Sequence, residues 1–355
     1  MAKFHTLTLS DVRRETASCV SLAFDVPEKL EHEFEFLAGQ YLTLRAIVKG
    51  EEVRRSYSLC TAPHEGELRV AIKHVPGGVF SSYANEQLQV GDTLDVMPPM
   101  GSFAAPKLIG KHIVGFAAGS GITPVIGIAK DVLARDEHAM VTLFYGNRSG
   151  REVIFHEELE ALKNTYLTRL RVFHVLSREH LGVDLFYGRL DAEKTTAFAK
   201  TLFDPTTVAD AYLCGPEPMI RAVTQALEQA GIAKDRIHFE LFGAPKPSLN
   251  APRVVRPAHK KVDLSKVSIT IEDTTTVIDM LDDGSHLLEA GLSYGLDLPF
   301  ACKGGVCSTC KCKVLDGEVL MDVNYSLEED EVAAGFVLSC QAHPVSERVA
   351  VTFDV

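Results

Sequence analysis

Positive charge is scarce at the C-terminal end of the sequence. From Leu264 onward there are sixteen Asp and Glu against five Lys and Arg, a net charge of −11, while the first 263 residues hold 32 acidic and 31 basic residues. The chain as a whole stands at −12. Nucleic acid demands a basic footprint, so no nucleic-acid partner is expected. Long apolar runs are also missing. The uncharged stretch Ile113–Ala129 is 17 residues long, short of a membrane-spanning helix, and is broken by Gly115, Gly119, Gly121, Pro124 and Gly127. It reads as a buried strand, a glycine turn and a helix start, and no membrane association is expected. Met1–His5 lacks the apolar core of a signal peptide, so a cytoplasmic protein is expected. Tryptophan is absent as well, and that excludes nothing.

What is present is an ordinary globular composition, 46% hydrophobic and 24% charged over 355 residues, enough for two or three domains. Residues 5–100 alternate in short runs with turn signals between them: His5–Leu9, Ser21–Phe24, Tyr41–Ile47, Val53–Leu59 and Leu68–His74. That rhythm predicts a small antiparallel β-barrel over residues 1–105. From Pro106 strands alternate with helices. Strands are expected at His112–Phe116, Met140–Tyr145, Leu170–Leu176 and Ala211–Leu213. Helices are expected at Pro124–Ala134, His156–Lys163, Asp191–Leu202 and Glu217–Ala230. This is the pattern of a doubly wound α/β parallel sheet over residues 106–243. Residues 244–264 are rich in proline and basic residues and read as a semi-rigid linker. Residues 265–355 form a third, α+β unit. It has a hairpin of Val267–Ile271 and Thr276–Met280 around Glu272–Thr275, a helix at Ser285–Tyr294, and strands at Lys311–Leu315 and Val349–Phe353.

Four of the eight cysteines fall between Cys302 and Cys312, too clustered for a disulfide scaffold. Cys302-x4-Cys307-x2-Cys310, followed 30 positions later by Cys340, is the ligand spacing of a plant-type [2Fe–2S] cluster. Three thiolates on a tight loop wrap the cluster and a distant fourth closes it. Gly304 and Gly305 allow backbone amides to turn toward sulfur, which stabilises the negative cluster. A zinc site would show a second paired Cys-x2-Cys knuckle, and there is none. Cys312 is expected to point away from the cluster.

Two further motifs suit nucleotides. In Arg55-Ser56-Tyr57-Ser58, strand alternation puts Arg55 and Tyr57 on one face, a cation for pyrophosphate beside a ring for stacking, and Ser58 is a hydrogen-bond candidate beside a flavin ring. Pro76-Gly77-Gly78-Val79-Phe80-Ser81 places glycines and a helix start where amides approach phosphate. Gly119-Ser120-Gly121-Ile122-Thr123-Pro124 follows an apolar strand and opens a helix, a second phosphate cradle. It is not a Walker A loop, because no Gly-Lys-Ser/Thr follows. Cys214-Gly215-Pro216-Glu217-Pro218-Met219 ends a predicted strand, where such sheets bind ligands.

These motifs resemble the ferredoxin–NADP reductase superfamily over roughly residues 5–243, and residues 265–355 resemble plant-type ferredoxins. The resemblance implies FAD held by Arg55, Tyr57 and Ser58, by Ile72, Lys73 and His74, and by Gly78, Val79, Phe80 and Ser81. It implies a nicotinamide held by Gly119, Gly121, Ile122, Thr123 and Pro124 and by Cys214, Gly215, Pro216 and Met219, with Glu240 and Phe242 closing over the flavin. Tyr57, Ser58, Cys214 and Glu240 are the residues it sets beside the reacting rings. Ser177 and Arg178 resemble a pair that holds the 2′-phosphate of NADPH, with Arg148 a second candidate, so NADPH is expected over NADH.

The three modules imply a route from NADPH through FAD and [2Fe–2S] to an external acceptor, two electrons entering together and leaving singly. The linker would let the ferredoxin unit visit flavin and acceptor in turn. The order, ferredoxin last, together with the FAD signals, is most similar to the reductases of phenylacetyl-CoA epoxidase systems. The expected partner is therefore a di-iron oxygenase docking on the acidic unit. Steroid or alkane hydroxylases and hybrid-cluster proteins are the alternative acceptors. A purely redox-sensing protein without turnover fits the intact nucleotide motifs poorly.

Overall fold

The computed structural model describes residues 3–105, 111–243, 264–281 and 283–355. The proline-rich stretch up to residue 263 lies outside them. The chain divides into two compact units, His5–Phe242 and Gly243–Val355, the second counted together with the first few residues.

The first unit opens with β1 (His5–Thr16), β2 (Cys19–Asp25), β3 (Tyr41–Val48), β4 (Glu51–Ser58), β5 (Leu68–Lys73), helix α1 (Val79–Glu86) and β6 (Thr93–Val96). The strands pair antiparallel in the order β4-β3-β6-β1-β2-β5. A bridge between Leu59, just past β4, and Val70 of β5 joins the outer strands, so the sheet closes on itself as the expected barrel. Leu7, Leu22, Leu42, Leu44, Val70, Ile72 and Val96 fill its interior. Asn85 of α1 donates to the Ile72 and Ser81 carbonyls (2.9 Å each) and ties the helix to β5.

The same unit continues with β7 (His112–Ala118), α2 (Ile122–Arg135), β8 (Met140–Asn147), α3 (His156–Thr165), β9 (Leu170–Leu176), α4 (Ala192–Thr201), β10 (Val208–Cys214), α5 (Glu217–Gln229) and β11 (Ile237–Glu240). The strands are parallel in the order β11-β10-β7-β8-β9. β7 is apolar and buried along nearly its whole length, as a central parallel strand covered on both faces must be. Phe144 stacks on Phe116, Phe173 and Phe198 at centroid distances of 4.9, 5.3 and 4.3 Å. Asp191 caps α4 by accepting the Lys194 amide (2.9 Å), which places the helix one residue inside the expected span. β11 is absent from the sequence reading, because four residues are too few to show a period.

Barrel and parallel sheet are fastened by a buried charge. Lys130 of α2 is 3% exposed; it donates to the Cys60 carbonyl (3.1 Å) and pairs with Glu65 (3.2 Å) and Glu158. Losing either carboxylate would leave a partly unpaired cation in the interior, a costly state. The neighbouring Gly127 lets α2 approach the barrel, since a Cβ there would sit 3.1 Å from the Thr61 carbonyl oxygen.

The second unit contains β12 (Leu264–Ile271), β13 (Thr274–Leu281), α6 (Leu287–Ser293), β14 (Lys311–Asp316), β15 (Val319–Met321), α7 (Glu329–Ala333), β16 (Phe336–Leu338), β17 (Ala342–Pro344) and β18 (Arg348–Thr352). A mixed sheet runs β13-β12-β18-β14-β16, with β12 and β18 parallel, and β15 pairs with β17. The hairpin turn is tighter than expected. Only Glu272 and Asp273 stand outside the ladder, both left-handed (φ 48° and 57°), the two-residue turn whose twist matches its strands. Helix α6 is likewise shorter than the predicted Ser285–Tyr294. Its first turn packs Leu287 and Leu288 into a core with Val267, Ile269, Val349 and Val351.

Candidate cofactor sites

The barrel strand β4 ends in Arg55-Ser56-Tyr57-Ser58. Pairing with β3 sets Arg55 opposite Leu44 and Tyr57 opposite Leu42, two residues apart and therefore on one face. Arg55 is exposed, Tyr57 half-buried with its ring 5.6 Å from Phe80, and Ser58 buried. α1 starts at Val79 just after Gly78, so the amides of residues 79–81 belong to the first turn, where a helix has no acceptor of its own. Ser81 does not offer its hydroxyl outward. It accepts from the Val75 amide (3.1 Å) and lies 3.2 Å from the Gly78 carbonyl oxygen, holding the turn in shape. Backbone, rather than the Ser81 side chain, is what this turn presents to an anion. His74 lies 3.2 Å from the Ser82 hydroxyl, and Ile72 is buried in the barrel.

Ser58 meets the other half of the unit. Its hydroxyl donates to the Glu240 carboxylate at 2.8 Å, across 182 residues of sequence. Burial raises the Glu240 pKa to about 7, the Ser58 hydrogen bond lowering it only partly. A carboxyl whose folded pKa lies above its unfolded value is stable as the acid, so the cost of ionising it grows from about pH 4.5 to 7 and persists above. Glu240→Gln is therefore expected to leave stability unchanged near pH 4 and raise it by about 3 kcal/mol at pH 8, read from urea unfolding of wild type and variant at both pH values.

The glycine loop after β7 is a 3-10 turn, Gly119–Gly121, that runs straight into α2 at Ile122. Gly119 is left-handed (φ 55°). Gly121 has ordinary backbone angles, but a Cβ on it would lie 2.1 Å from the Cys214 carbonyl oxygen. The loop and the end of β10 thus touch only because residue 121 has no side chain. Gly215 is less confined, its missing Cβ 2.6 Å from Met219 Cε, the movable end of a flexible side chain. Thr123 donates to the Ser120 carbonyl (3.0 Å), and Pro124 is buried inside the first turn of α2. Pro216 precedes α5. The Cys214 thiol is buried and pushed far above its ordinary pKa, with Glu240 adding to the shift, so it stays protonated.

Two members of this crevice carry no sequence signature. Tyr145, fully buried on β8, donates to the Gly119 carbonyl (2.9 Å) and accepts the Ile154 amide (3.3 Å), so it props the glycine loop. Asn147, at the C-terminal end of β8, is 9% exposed. Among the described residues neither its amide nitrogen nor its oxygen has a well-formed hydrogen bond, though its side chain lies close enough to the Tyr145 hydroxyl to act on that group's titration. A buried amide so weakly engaged at the ligand edge of a parallel sheet fits a polar ligand. Neither residue belongs to a pattern that spacing reveals. Lys73, from the barrel, reaches to 3.4 Å of the position a Gly119 Cβ would take and lies 3.9 Å from Glu152. Beyond β8 and β9, Ser177 donates its amide to the Asn147 carbonyl (2.9 Å) and Arg178 to the Arg148 carbonyl (2.8 Å). The two arginine candidates are therefore neighbours. Phe242 is largely exposed at the end of the unit.

In the second unit the cysteine loop carries Lys303 (φ 51°), Gly305 (φ 74°) and Ser308 (φ 49°) in left-handed conformations. These reversals point backbone N–H groups at sulfur. The Gly304 amide donates to Cys302 Sγ at 3.3 Å, and the amides of Val306 and Cys307 act on the same sulfur. The Cys302 pKa is lowered, first by the Cys307 side chain and then by these amides against burial. Cys340, from the segment after β16, is lowered by Cys310, by Gln341, whose Nε2 lies 3.6 Å from its sulfur, and by the Gly305 amide. Gln341 also donates to the Lys303 carbonyl (3.1 Å) and so joins the loop to the distant fourth cysteine. Four thiols ringed by inward-pointing amides are the donor set of an iron–sulfur cluster. Cys312 lies inside β14 opposite Val337, wholly buried, its thiol pushed up to about 12 by burial.

Comparison with known proteins defines the class. An oxidoreductase FAD-binding domain model matches residues 6–104, an oxidoreductase NAD-binding domain model residues 116–225, and a 2Fe-2S iron-sulfur cluster binding domain model residues 269–345. The chain is an NAD(P)H-dependent oxidoreductase with FAD, nicotinamide and [2Fe–2S] domains in that order, and it belongs to the family of reductase components that serve oxygenases. It is 42% identical to a subunit of the 1,2-phenylacetyl-CoA epoxidase of Escherichia coli (strain K12), over 100% of this chain and 99% of that protein. It is 35% identical to the ferredoxin reductase component of 3-ketosteroid-9-alpha-monooxygenase of Rhodococcus rhodochrous, over 98% and 96% of the two chains. The solved structure of phthalate dioxygenase reductase shares the fold, with a TM-score of 0.58 at 20% identity over 99% of this chain and 98% of that one. Among the described residues no helix is long and apolar enough to cross a membrane.

Proposed function

We propose that this chain draws electrons from NADPH and delivers them singly to the oxygenase of a phenylacetyl-CoA epoxidase system, a di-iron enzyme docking on the acidic C-terminal unit in the cytoplasm. The observation that carries the acceptor is the 42% identity, end to end, to a component of such an epoxidase, against 35% to the ketosteroid reductase component. The net charge of −11 beyond Leu264 supports docking on that unit through a basic surface of the partner.

When bound, the nicotinamide supplies a hydride, the flavin converts that pair into single electrons, and the cluster carries them one at a time. The residues divide the rest of the work. Arg55 and the first-turn amides of α1, at Val79, Phe80 and Ser81 after Gly78, neutralise the flavin pyrophosphate, while Tyr57, Lys73, His74 and Phe242 shape the walls around the ring and Ile72, its side chain in the barrel core, contributes backbone only. Ser58 and Glu240 form a proton-holding pair: Glu240, with a pKa of about 7, is hydrogen-bonded to the Ser58 hydroxyl and is poised near neutral pH to release or take a proton. Gly119, Gly121, Ile122, Thr123 and Pro124 bring the amides of the α2 start to the nicotinamide pyrophosphate. Cys214, Gly215, Pro216 and Met219 orient the nicotinamide ring, the Cys214 thiol serving as a small neutral contact. Cys302, Cys307, Cys310 and Cys340 ligate the cluster.

NADPH is favoured by the adjacency of Arg148 and Arg178 beside Ser177. Arg178→Ala is expected to raise KM for NADPH about tenfold, ~1.4 kcal/mol, with KM for NADH unchanged. Equal shifts for both nucleotides would remove the 2′-phosphate role. The acceptor is tested by steady-state turnover with purified oxygenase cores and each nicotinamide. Turnover with the phenylacetyl-CoA epoxidase core is expected to exceed that with a ketosteroid hydroxylase, and the reverse order would overturn the assignment.

A further inference from the structure

Outside the cofactor sites, the second unit gathers two histidines and an aspartate at one point. His286 stands at the start of α6, Asp322 just after β15, and His343 on β17. Their ligating atoms lie within 4.8 Å of one another. Nε2 of His286 is 3.2 Å, and Nε2 of His343 2.9 Å, from the same Asp322 Oδ2. The two rings face each other at a centroid distance of 4.3 Å.

The hydrogens do not balance for neutral rings. His343 Nδ1 lies 2.9 Å from the Ser285 carbonyl oxygen. A carbonyl only accepts, so Nδ1 must carry the hydrogen, and in the neutral ring Nε2 is then a lone pair. Both acceptors are satisfied if the ring is charged and donates from each nitrogen, and a metal ion at Nε2 is the other way to place positive charge against Asp322. The same backbone contact is what orients metal-binding imidazoles, by fixing the tautomer that leaves Nε2 free. At His286 the ring accepts the Glu289 amide in the α6 cap, and the Glu289 carboxylate lies 3.6 Å from Nδ1, so a ligand at Nε2 would require the cap hydrogen bond to be given up.

We propose that His286, Asp322 and His343 form a site for a divalent transition-metal cation of the zinc type, independent of the iron–sulfur cluster. Two imidazole nitrogens and one carboxylate oxygen suit zinc, and imidazole disfavours magnesium and calcium. Ligand atoms around a tetrahedral zinc stand about 3.3 Å apart, close to the two histidine–aspartate separations here and within reach of the 4.8 Å bound on all three. The Asp322 side chain is 39% exposed, which leaves an entry path and room for a water ligand. The ion would fasten three separate segments. Asp322 already donates its amide to the Gln341 carbonyl (2.9 Å), and Leu288, next to the His286 turn, donates to the Ser339 carbonyl (3.0 Å). Those two carbonyls flank Cys340, so the site clamps the strand end that carries the fourth cluster ligand.

The test uses the full chain with FAD and cluster loaded and adventitious metal stripped. Zinc chloride titrated by calorimetry is expected to fill one strong site, and the zinc K-edge spectrum to show nitrogen and oxygen ligands with no sulfur. His343→Asn and Asp322→Asn should each weaken that site at least about tenfold, the visible spectrum of the cluster confirming that both variants fold. Absence of a strong site, sulfur in the zinc shell, or affinity unchanged in both variants would overturn the proposal.

Discussion

Cys310→Ser is expected to stop electron delivery to an oxygenase while NAD(P)H-dependent reduction of ferricyanide continues. Cys310 is buried among the core side chains of the second unit, and its sulfur is hydrogen-bonded to Cys340. A serine there supplies a shorter, harder ligand to a site built for four thiolates, so the cluster is lost or assembles poorly. The first unit has its own cores and is untouched by the change. Delivery to the oxygenase should fall by a factor on the order of 10² or more, with ferricyanide reduction held within about twofold. Cluster content is read by iron analysis and absorbance, and the two activities by steady-state assays on the same preparation. Retention of both activities in a cluster-free variant would show that the cluster lies off the electron route.

Gly121→Ala should have the converse effect, loss of the input with the outlet intact. The added Cβ would lie 2.1 Å from the Cys214 carbonyl oxygen and 2.5 Å from its carbon, and both are backbone atoms that cannot swing aside. Either the glycine loop or the end of β10 has to move by more than about 1 Å to reach ordinary van der Waals contact, and both belong to the crevice proposed for the nicotinamide. Displacement on that scale costs hydride transfer on the order of 10²-fold through lost alignment. kcat/KM for NADPH is therefore expected to fall by about that factor, while photochemical or dithionite reduction of the flavin and cluster is unaffected. Stopped-flow comparison of the two reductants separates the outcomes. Unchanged NADPH kinetics would mean that this contact does not shape the crevice.

What is legible in the sequence follows from how local each signal is. The strand–helix alternation of residues 106–243 and the Cys302–Cys310 spacing are patterns within a few residues; the parallel sheet comes out as expected, and the thiols of Cys302 and Cys307 and of Cys310 and Cys340 lie against each other. The glycine loops are legible as turns, but what they touch is not. That Gly121 abuts Cys214, or that Ser58 bonds Glu240 across 182 positions, is decided by the sheet order, which brings β7 beside β10 and folds β11 back along it. Tyr145 and Asn147 escape notice for the same reason. On the sequence they are two polar residues at a strand end, and only the crevice makes one a prop and the other a weakly engaged buried amide. The Ser81 hydroxyl illustrates the opposite error, a polar residue in a phosphate-type motif whose oxygen is spent on holding its own turn. His286, Asp322 and His343 are far apart in sequence and share no motif at all.

The central claim is that one chain turns nicotinamide electron pairs into single electrons leaving by the C-terminal cluster. Anaerobic mixing of the fully loaded chain with NADPH, followed by electron paramagnetic resonance and visible absorbance, tests it most directly. The account predicts that the flavin bleaches first, that a [2Fe–2S] signal then grows at the rate of flavin reoxidation, and that adding the oxygenase discharges that signal. A cluster that stays oxidised while the flavin is reduced, or an oxygenase that fills with electrons before the cluster does, would contradict it.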